Sequence, residues 1–289
     1  MGTTVYPKQQ RRPKKRINFG RIAVYIILIL GSIVALMPFL WMILASFKTG
    51  AEVRQIPPTF WPVEPTLENY ITIFTDPKLP LALFYRNSAL IAIVNTATAL
   101  FTSSLFGYIF AKFKFPGSRF WFWIVLALMM IPFQVTMIPS YLILAKLGLL
   151  NKLTGLMIGA AITPFGIFLM RQFSMSIPNE MLDAARVDGA SEWRIYWSIV
   201  LPQLGPALAT LGMLTFMFNW NAYLWPLIVL TEQSKRTLPI ILTWYTTQHS
   251  NQTQLSMAAT VLVILPILVV FLISQRWIVR GITLSGLKG

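Results

Sequence analysis

Apolar residues in this chain fall into long blocks separated by short polar stretches, a pattern unlike the scattered apolar positions of a soluble core. Blocks run over about 22–47, 87–111, 120–144, 153–173, 204–230 and 257–279. Several exceed the roughly 18 residues that cross a bilayer as helix. The pattern therefore predicts an all-α membrane protein with six transmembrane helices. The first block is too long for a signal-peptide core, and no small-residue cleavage site follows it. Between the first two blocks, Pro57, Pro58, Pro62, Pro65, Pro77 and Pro80 forbid a long helix. Pro132 and Pro139 inside the third block predict a kinked or broken span. Three regions follow: a basic arm over 1–21, a first span with external loop over 22–86, and a core over 87–289. The core holds five spans, a polar loop over 174–203 and a C-terminal tail.

Charge sharpens the class. Charged residues make up 11% of the 289, against about a quarter in a typical soluble domain. The net charge of +15 would suit nucleic acid, but its distribution does not. Lys8, Arg11, Arg12, Lys14, Lys15, Arg16 and Arg21 sit directly before an apolar block. That placement suits a topology and lipid-headgroup anchor, with membrane lipids as partner. With the N-terminus inside, inner segments and span ends hold 16 of the 24 lysines and arginines. An even span number then puts both termini, and the 174–203 loop, on the cytoplasmic side. Phe74, Phe84 and Phe120–Trp123 near span ends suit an interfacial aromatic belt.

Chemistry is mostly excluded. The chain has no cysteine, and its one histidine, His249, lies in a polar stretch without further ligands, so no metal site is expected. All nine carboxylates fall outside the apolar blocks. A proton-coupled transporter usually keeps a titratable group inside the membrane, whereas sodium coupling through backbone carbonyls stays open. No phosphate-binding loop occurs, nor a nucleophile–base pair. The chain is expected to be no enzyme and to bind no cofactor; if it transports against a gradient, the energy would come from another polypeptide.

The 174–203 loop carries helix punctuation. Pro178 suits a first helical turn, and Gly189 a C-terminal cap with positive φ. Ser191 suits the N-cap of a second helix that Pro202 ends or kinks. Ala184 and Ala185 allow close approach, and Trp193, Tyr196 and Trp197 give the second helix an aromatic face. Such a helix pair either docks a partner or packs on its own bundle.

The spacing of Asp183-Ala184-Ala185, Gly189 and Ile199-x-Leu201-Pro202 resembles the EAA motif of ABC importer permeases. Asp183 stands where that family usually has Glu. Asn87-Ser88, 111–117, Trp220-Asn221, 224–227 and 275–289 are similar to the carbohydrate branch, of MalG type, with Ala222 where that branch often has Glu. The resemblance implies a MetI/MalG-like type I importer permease in a bacterial or archaeal cytoplasmic membrane, multi-pass, N-in and C-in. It implies a MalF-like second permease, an ABC ATPase dimer and an external sugar-binding protein as partners. It also implies that Asp183, Ala184, Ala185, Asp188, Gly189, Leu201 and Pro202 dock the ATPase. The tail Ser285, Gly286, Leu287, Lys288 and Gly289 would reach into the ATPase dimer. Gln134, Thr136, Asn219, Asn221, Trp220 and Tyr223 are polar or aromatic residues inside spans that would meet a sugar or join helices. A sodium-coupled secondary transporter is the alternative; a structural or insertion-factor membrane protein is a third class.

Overall fold

The computed structural model describes residues 19–247 and 252–286. The basic arm up to residue 18, His249 and Leu287–Gly289 lie outside the described residues. The described part is helical. α1 (Phe19–Ser46) is apolar all round, and its most apolar stretch is buried against no other part of the chain. A helix with no polar face and so exposed an apolar stretch needs lipid or another chain around it. α2 (Gly50–Val53) and α3 (Glu68–Thr75) are the only helices the proline-rich segment forms among the described residues.

That segment is pinned to the end of α1 by polar contacts. Asn69 Nδ2 donates to the carbonyls of Ser46 and Lys48, each at 2.8 Å. Lys48 and Glu52, both buried, form an ion pair at 3.7 Å. Thr59 Oγ1 donates to Glu52 at 2.6 Å, and the Val63 N–H does so at 3.0 Å. Burial pushes the Glu52 carboxyl up, but these donors and the Lys48 charge more than offset it, leaving it below its ordinary value.

α4 (Leu81–Lys112) is longer than the apolar block foretold, starting six residues before Asn87. The third span is two helices, α5 (Ser118–Met129) and α6 (Phe133–Lys146), bent by 102°. Pro132 marks the break, whereas Pro139 is accommodated inside α6. The fourth span is also interrupted, into α7 (Leu153–Ala160) and α8 (Pro164–Met175). Its break is satisfied from outside: Thr102 Oγ1 on α4 donates to Ala161 O at 2.7 Å. A neighbour's hydroxyl thus takes a carbonyl that the broken helix leaves free.

The polar loop forms α9 (Asn179–Val187) and α10 (Glu192–Ile195). α10 continues through a π turn (Tyr196–Val200) into α11 (Leu201–Gln203). A bend of 77° then leads to α12 (Gly205–Trp220). The expected continuous span to residue 230 is corrected here. The helix stops at Trp220, and a separate α13 (Leu224–Val229) follows, because Asn221–Tyr223 leave the helical ladder and Pro226 cannot rejoin it. α14 (Ile241–Thr247) lies in the next polar segment, and α15 (Thr253–Gly286) closes the described chain. Among the described residues four segments, 20–46, 81–112, 153–175 and 253–273, are long and apolar enough to cross a membrane, and up to six are if each bent pair counts as one.

α4 is the central element. It packs along α8 at backbone distance: a Cβ on Gly107 would lie 2.5 Å from Met170 Cβ. It also packs on α12, where Asn95 Nδ2 donates to Asn219 Oδ1 at 2.6 Å. One apolar cluster joins the loop helices to α4, α8 and α12 through Tyr108, Met170, Leu182, Ile195, Tyr196 and Leu211. A second, at the opposite end of α4, gathers Ile73, Phe84, Trp220, Ile241, Tyr245 and Ala258.

Candidate functional site: the 174–203 loop

The loop folds as its punctuation predicts, with one shift. Pro178 is the residue before α9 rather than in its first turn, with ψ 136°. Gly189 has φ +80°. The Gly189 N–H donates to Arg186 O at 3.0 Å and the Ala190 N–H to Ala185 O at 2.9 Å, which ends α9 as a Schellman motif. Ser191 caps α10, its Oγ accepting the Arg194 N–H at 3.3 Å. The second helix runs through Pro202 to Gln203 and there bends by 77° into α12. The preceding π turn widens it, and the Leu201 N–H reaches back to Tyr196 O. A π turn makes room for a proline ring that would clash with the carbonyl four residues before it.

The hairpin is closed by ions. Arg186 Nη1 donates to Asp183 Oδ1 at 2.6 Å, while Nε and Nη2 reach the two Glu192 oxygens at 2.7 and 3.3 Å. The fork clamps the end of α9 to the start of α10. The hydrogen bond to Glu192 raises the Arg186 guanidinium above its ordinary value, burial opposing and Asp183 adding to it. The same bond holds the Glu192 carboxyl below its ordinary value.

One face of the hairpin is buried and the other free. Leu182, Ile195, Tyr196 and Val200 are buried in the inner cluster, and Ala185 and Leu201 are half-buried against it. Asp183, Ala184, Asp188, Gly189 and Pro202 are exposed. Val187 is 88% exposed between them, so an apolar side chain stands out in the middle of this face. Tyr196 leaves the expected aromatic face for the core, whereas Trp193 and Trp197 stay exposed, the latter stacked on Phe101 at 6.2 Å.

The residues expected along a pathway divide. Trp220 is buried, donates Nε1–H to Val263 O at 3.1 Å and stacks on Phe216. Its ring joins α12 to α15 and offers no open face. Asn219 spends its amide on Asn95 and on Thr215 O at 2.8 Å. Both behave as helix-joining residues. Gln134, Thr136, Asn221 and Tyr223 are exposed. They border two helix breaks that meet where Phe133 packs edge-on against Trp225 at 5.4 Å. Tyr223 hydrogen-bonds Thr243 at 2.6 Å, and Thr136 bonds its own helix at Phe133 O. Ser285 and Gly286 form the end of α15.

Arg186, Glu192 and Tyr108 were not singled out by motif, and Lys112 only as part of the 111–117 segment. Tyr108 donates to Glu192 Oε2 at 3.2 Å, and Lys112 Nζ to Ile177 O at 2.5 Å and Asn179 Oδ1 at 2.9 Å. Their sequence signal is faint: polar side chains four apart at the inner end of an apolar block.

Long apolar helices, some interrupted, with a capped helix hairpin held against the continuous α4, define a multi-pass membrane protein. Residues 103–284 match the family described as binding-protein-dependent transport system inner membrane component, and the chain belongs to that family. It is 39% identical over 258 residues to the arabinooligosaccharides transport system permease of Halalkalibacterium halodurans, covering 89% of this chain and 92% of that protein. It is 34% identical over 260 residues to the lactose transport system permease of Rhizobium radiobacter, covering 90% and 94%. A chain in the crystal structure of a bacterial ABC transporter involved in the import of the acidic polysaccharide alginate is 27% identical. It superposes with a TM-score of 0.80 over 95% of this chain and 99% of that one.

Proposed function

We propose that this chain is the permease subunit of an ATP-driven importer for sugars or oligosaccharides, forming half of a translocation pathway. In this reading the chain has six spans, with both termini and the 174–203 loop on the cytoplasmic side, in the cytoplasmic membrane of a bacterium or archaeon. A MalF-like second permease forms the other half, and an external sugar-binding protein delivers the solute. An ABC ATPase dimer carries ATP and Mg and docks on the loop. The substrate class rests on the sugar transport permeases to which the chain is similar and on the polysaccharide importer that shares its fold.

The observation that carries the docking assignment is the sorting of the motif. Asp183, Ala184, Asp188, Gly189 and Pro202 share the free face of a compact hairpin whose other face is sealed into the bundle. A hairpin fixed by a Schellman cap, an N-cap and a bifurcated ion pair transmits force as one body. Gln134, Asn221 and Tyr223 are the remaining candidates for solute contact, and the end of α15 carries the tail beyond Gly286 towards the ATPases.

Co-expression with the cognate ATPase and second permease tests this. Asp183→Lys and Gly189→Trp should release the ATPase while both permeases still co-purify. Retention of the ATPase by both variants would refute docking at this face. Solute-independent of that result, uptake of a labelled sugar panel by the reconstituted complex, abolished by omitting ATP, tests the transport assignment.

A further inference from the structure

The turn from α4 to α5 gathers three cations that no carboxylate pairs. Lys114 and Arg119 stand exposed on either side of Pro116-Gly117, and Arg171 reaches α5 from α8. None of the three is ion-paired among the described residues. Glu180, Asp183, Asp188 and Glu192, the acids at this end of the bundle, all lie on the hairpin. The neighbouring Lys112 is already spent on Ile177 O and Asn179.

Arg171 is held in a fixed posture. Its Cζ lies 4.1 Å from the centre of the Phe122 ring, and its Nε donates to Phe110 O at 3.2 Å. Phe110 packs on Phe115 and Phe122 at 5.9 and 5.7 Å. Rings from α4, the turn and α5 thus form a floor on which the guanidinium lies, attracted to the ring face. A charged group at the end of apolar spans usually pairs with a counter-charge or with carbonyls. Here one carbonyl takes one N–H, and Nη1 and Nη2 have no hydrogen-bond partner among the described residues. Their planar fork matches the oxygens of a phosphate. Arg119 stands one turn before Phe122 on the same face of α5, and Lys114 adjoins Phe115, so both bracket the same spot.

The surroundings decide what brings the phosphate. α5 buries none of its residues, and Phe120, Trp121 and Trp123 are exposed beside the cations. Exposed tryptophan next to lysine and arginine at the end of an apolar helix marks a headgroup boundary. A free anion has no use for that apolar flank, whereas a phospholipid covers it with its acyl chains. Three cations without an acid favour a headgroup of net negative charge over a zwitterionic one. We propose that this corner is a binding site for an anionic phospholipid, whose phosphate the Arg171 fork, Lys114 and Arg119 hold together. This rests on the reading of the chain as a membrane-spanning permease, and not on the docking of an ATPase.

The full chain is purified in detergent with the subunits that accompany it. Native mass spectrometry then follows the first bound lipid during titration with dioleoylphosphatidylglycerol or dioleoylphosphatidylcholine. Phosphatidylglycerol should bind more tightly. Arg171→Gln should weaken it about tenfold or more, as loss of a charge-assisted bond does, and leave phosphatidylcholine unchanged. Arg171→Gln also removes the bond to Phe110, so the exposed pair Lys114→Gln with Arg119→Gln tests the site with its floor intact. That double variant should stay monodisperse and lose the preference for phosphatidylglycerol. Equal affinity for the two lipids in the native chain overturns the proposal, as does native affinity for phosphatidylglycerol in either variant. Displacement of the lipid by inorganic phosphate alone overturns it too, in favour of a free-anion site. In nanodiscs a fluorophore on Trp123→Cys, in a chain with no other cysteine, should be quenched by brominated lipid. Absence of quenching, with cross-linking to the second permease, gives this face to that subunit and overturns the lipid site. Sugar uptake is scored on the same variants: its absence from the native complex with lipid binding retained counts against the transport reading alone.

Discussion

Asn95 on α4 and Asn219 on α12 meet amide to amide at 2.6 Å, and Asn219 returns its own N–H to Thr215 one turn earlier. A polar residue inside an apolar span serves here to hold two helices together. Asn95→Leu should therefore cost about 0.6–2 kcal/mol, the range of interhelical hydrogen bonds in membranes. A lower midpoint of thermal unfolding in detergent, with the ranking of transported sugars unchanged, is the expected result. A change in solute preference would return Asn219 to the pathway.

Gly107 lets α4 and α8 touch backbone to backbone. A Cβ there would come within 2.8 Å of the Arg171 nitrogen as well as against Met170. Gly107→Val should separate the helices, at the cost of about 1–3 kcal/mol that overpacking a filled site brings. The variant should lose yield and monodispersity in size-exclusion chromatography, whereas Gly159→Ala, with nothing within 4 Å of its Cβ, should not.

Gly189 has open space around it, yet its φ of +80° disfavours any side chain. Gly189→Ala should cost about 1–2 kcal/mol of local stability, with Gly189→Asn costing less because Asn tolerates this region better. Hydrogen exchange over 179–195 should rise in that order, from native through Asn to Ala.

Glu52 and Lys48 test burial on the other side of the bundle. The folded Glu52 carboxyl lies below its ordinary value of 4.5. Its contribution to stability is therefore complete above that ordinary value and is lost as pH falls through the folded one. Limited proteolysis within 53–66 should stay slow at neutral pH and accelerate only in acid. Glu52→Gln leaves the 1%-exposed Lys48 ammonium without its counter-charge, which costs about 3–5 kcal/mol for a buried pair. Its loop should be cleaved at neutral pH too.

Much of this architecture is legible in the chain because it follows from local rules. Apolar block length located the spans, since a bilayer tolerates no unsatisfied backbone and few charges. Gly189 and Ser191 set the hairpin's turn, since positive φ and a side-chain cap are decided within three residues. The α4 start and the end of α12 were misplaced for the complementary reason. Arg86 and Leu81 carry no boundary signal of their own, and the stop at Trp220 depends on how 221–223 leave the helix.

The sequence by itself determined that this is a multi-pass membrane protein with a capped helix pair bearing the EAA spacing. Only the tertiary structure decided what the side chains do. It turned Trp220 and Asn219 into helix joints, bound Asp183 to Arg186 inside the hairpin, and brought Tyr108 to Glu192 across 84 residues of chain. Helix caps and apolar blocks are fixed by neighbours a few residues away, and so are written locally. A bond between distant segments exists only once packing has set two helices side by side, and one polar residue on an apolar helix does not name its partner.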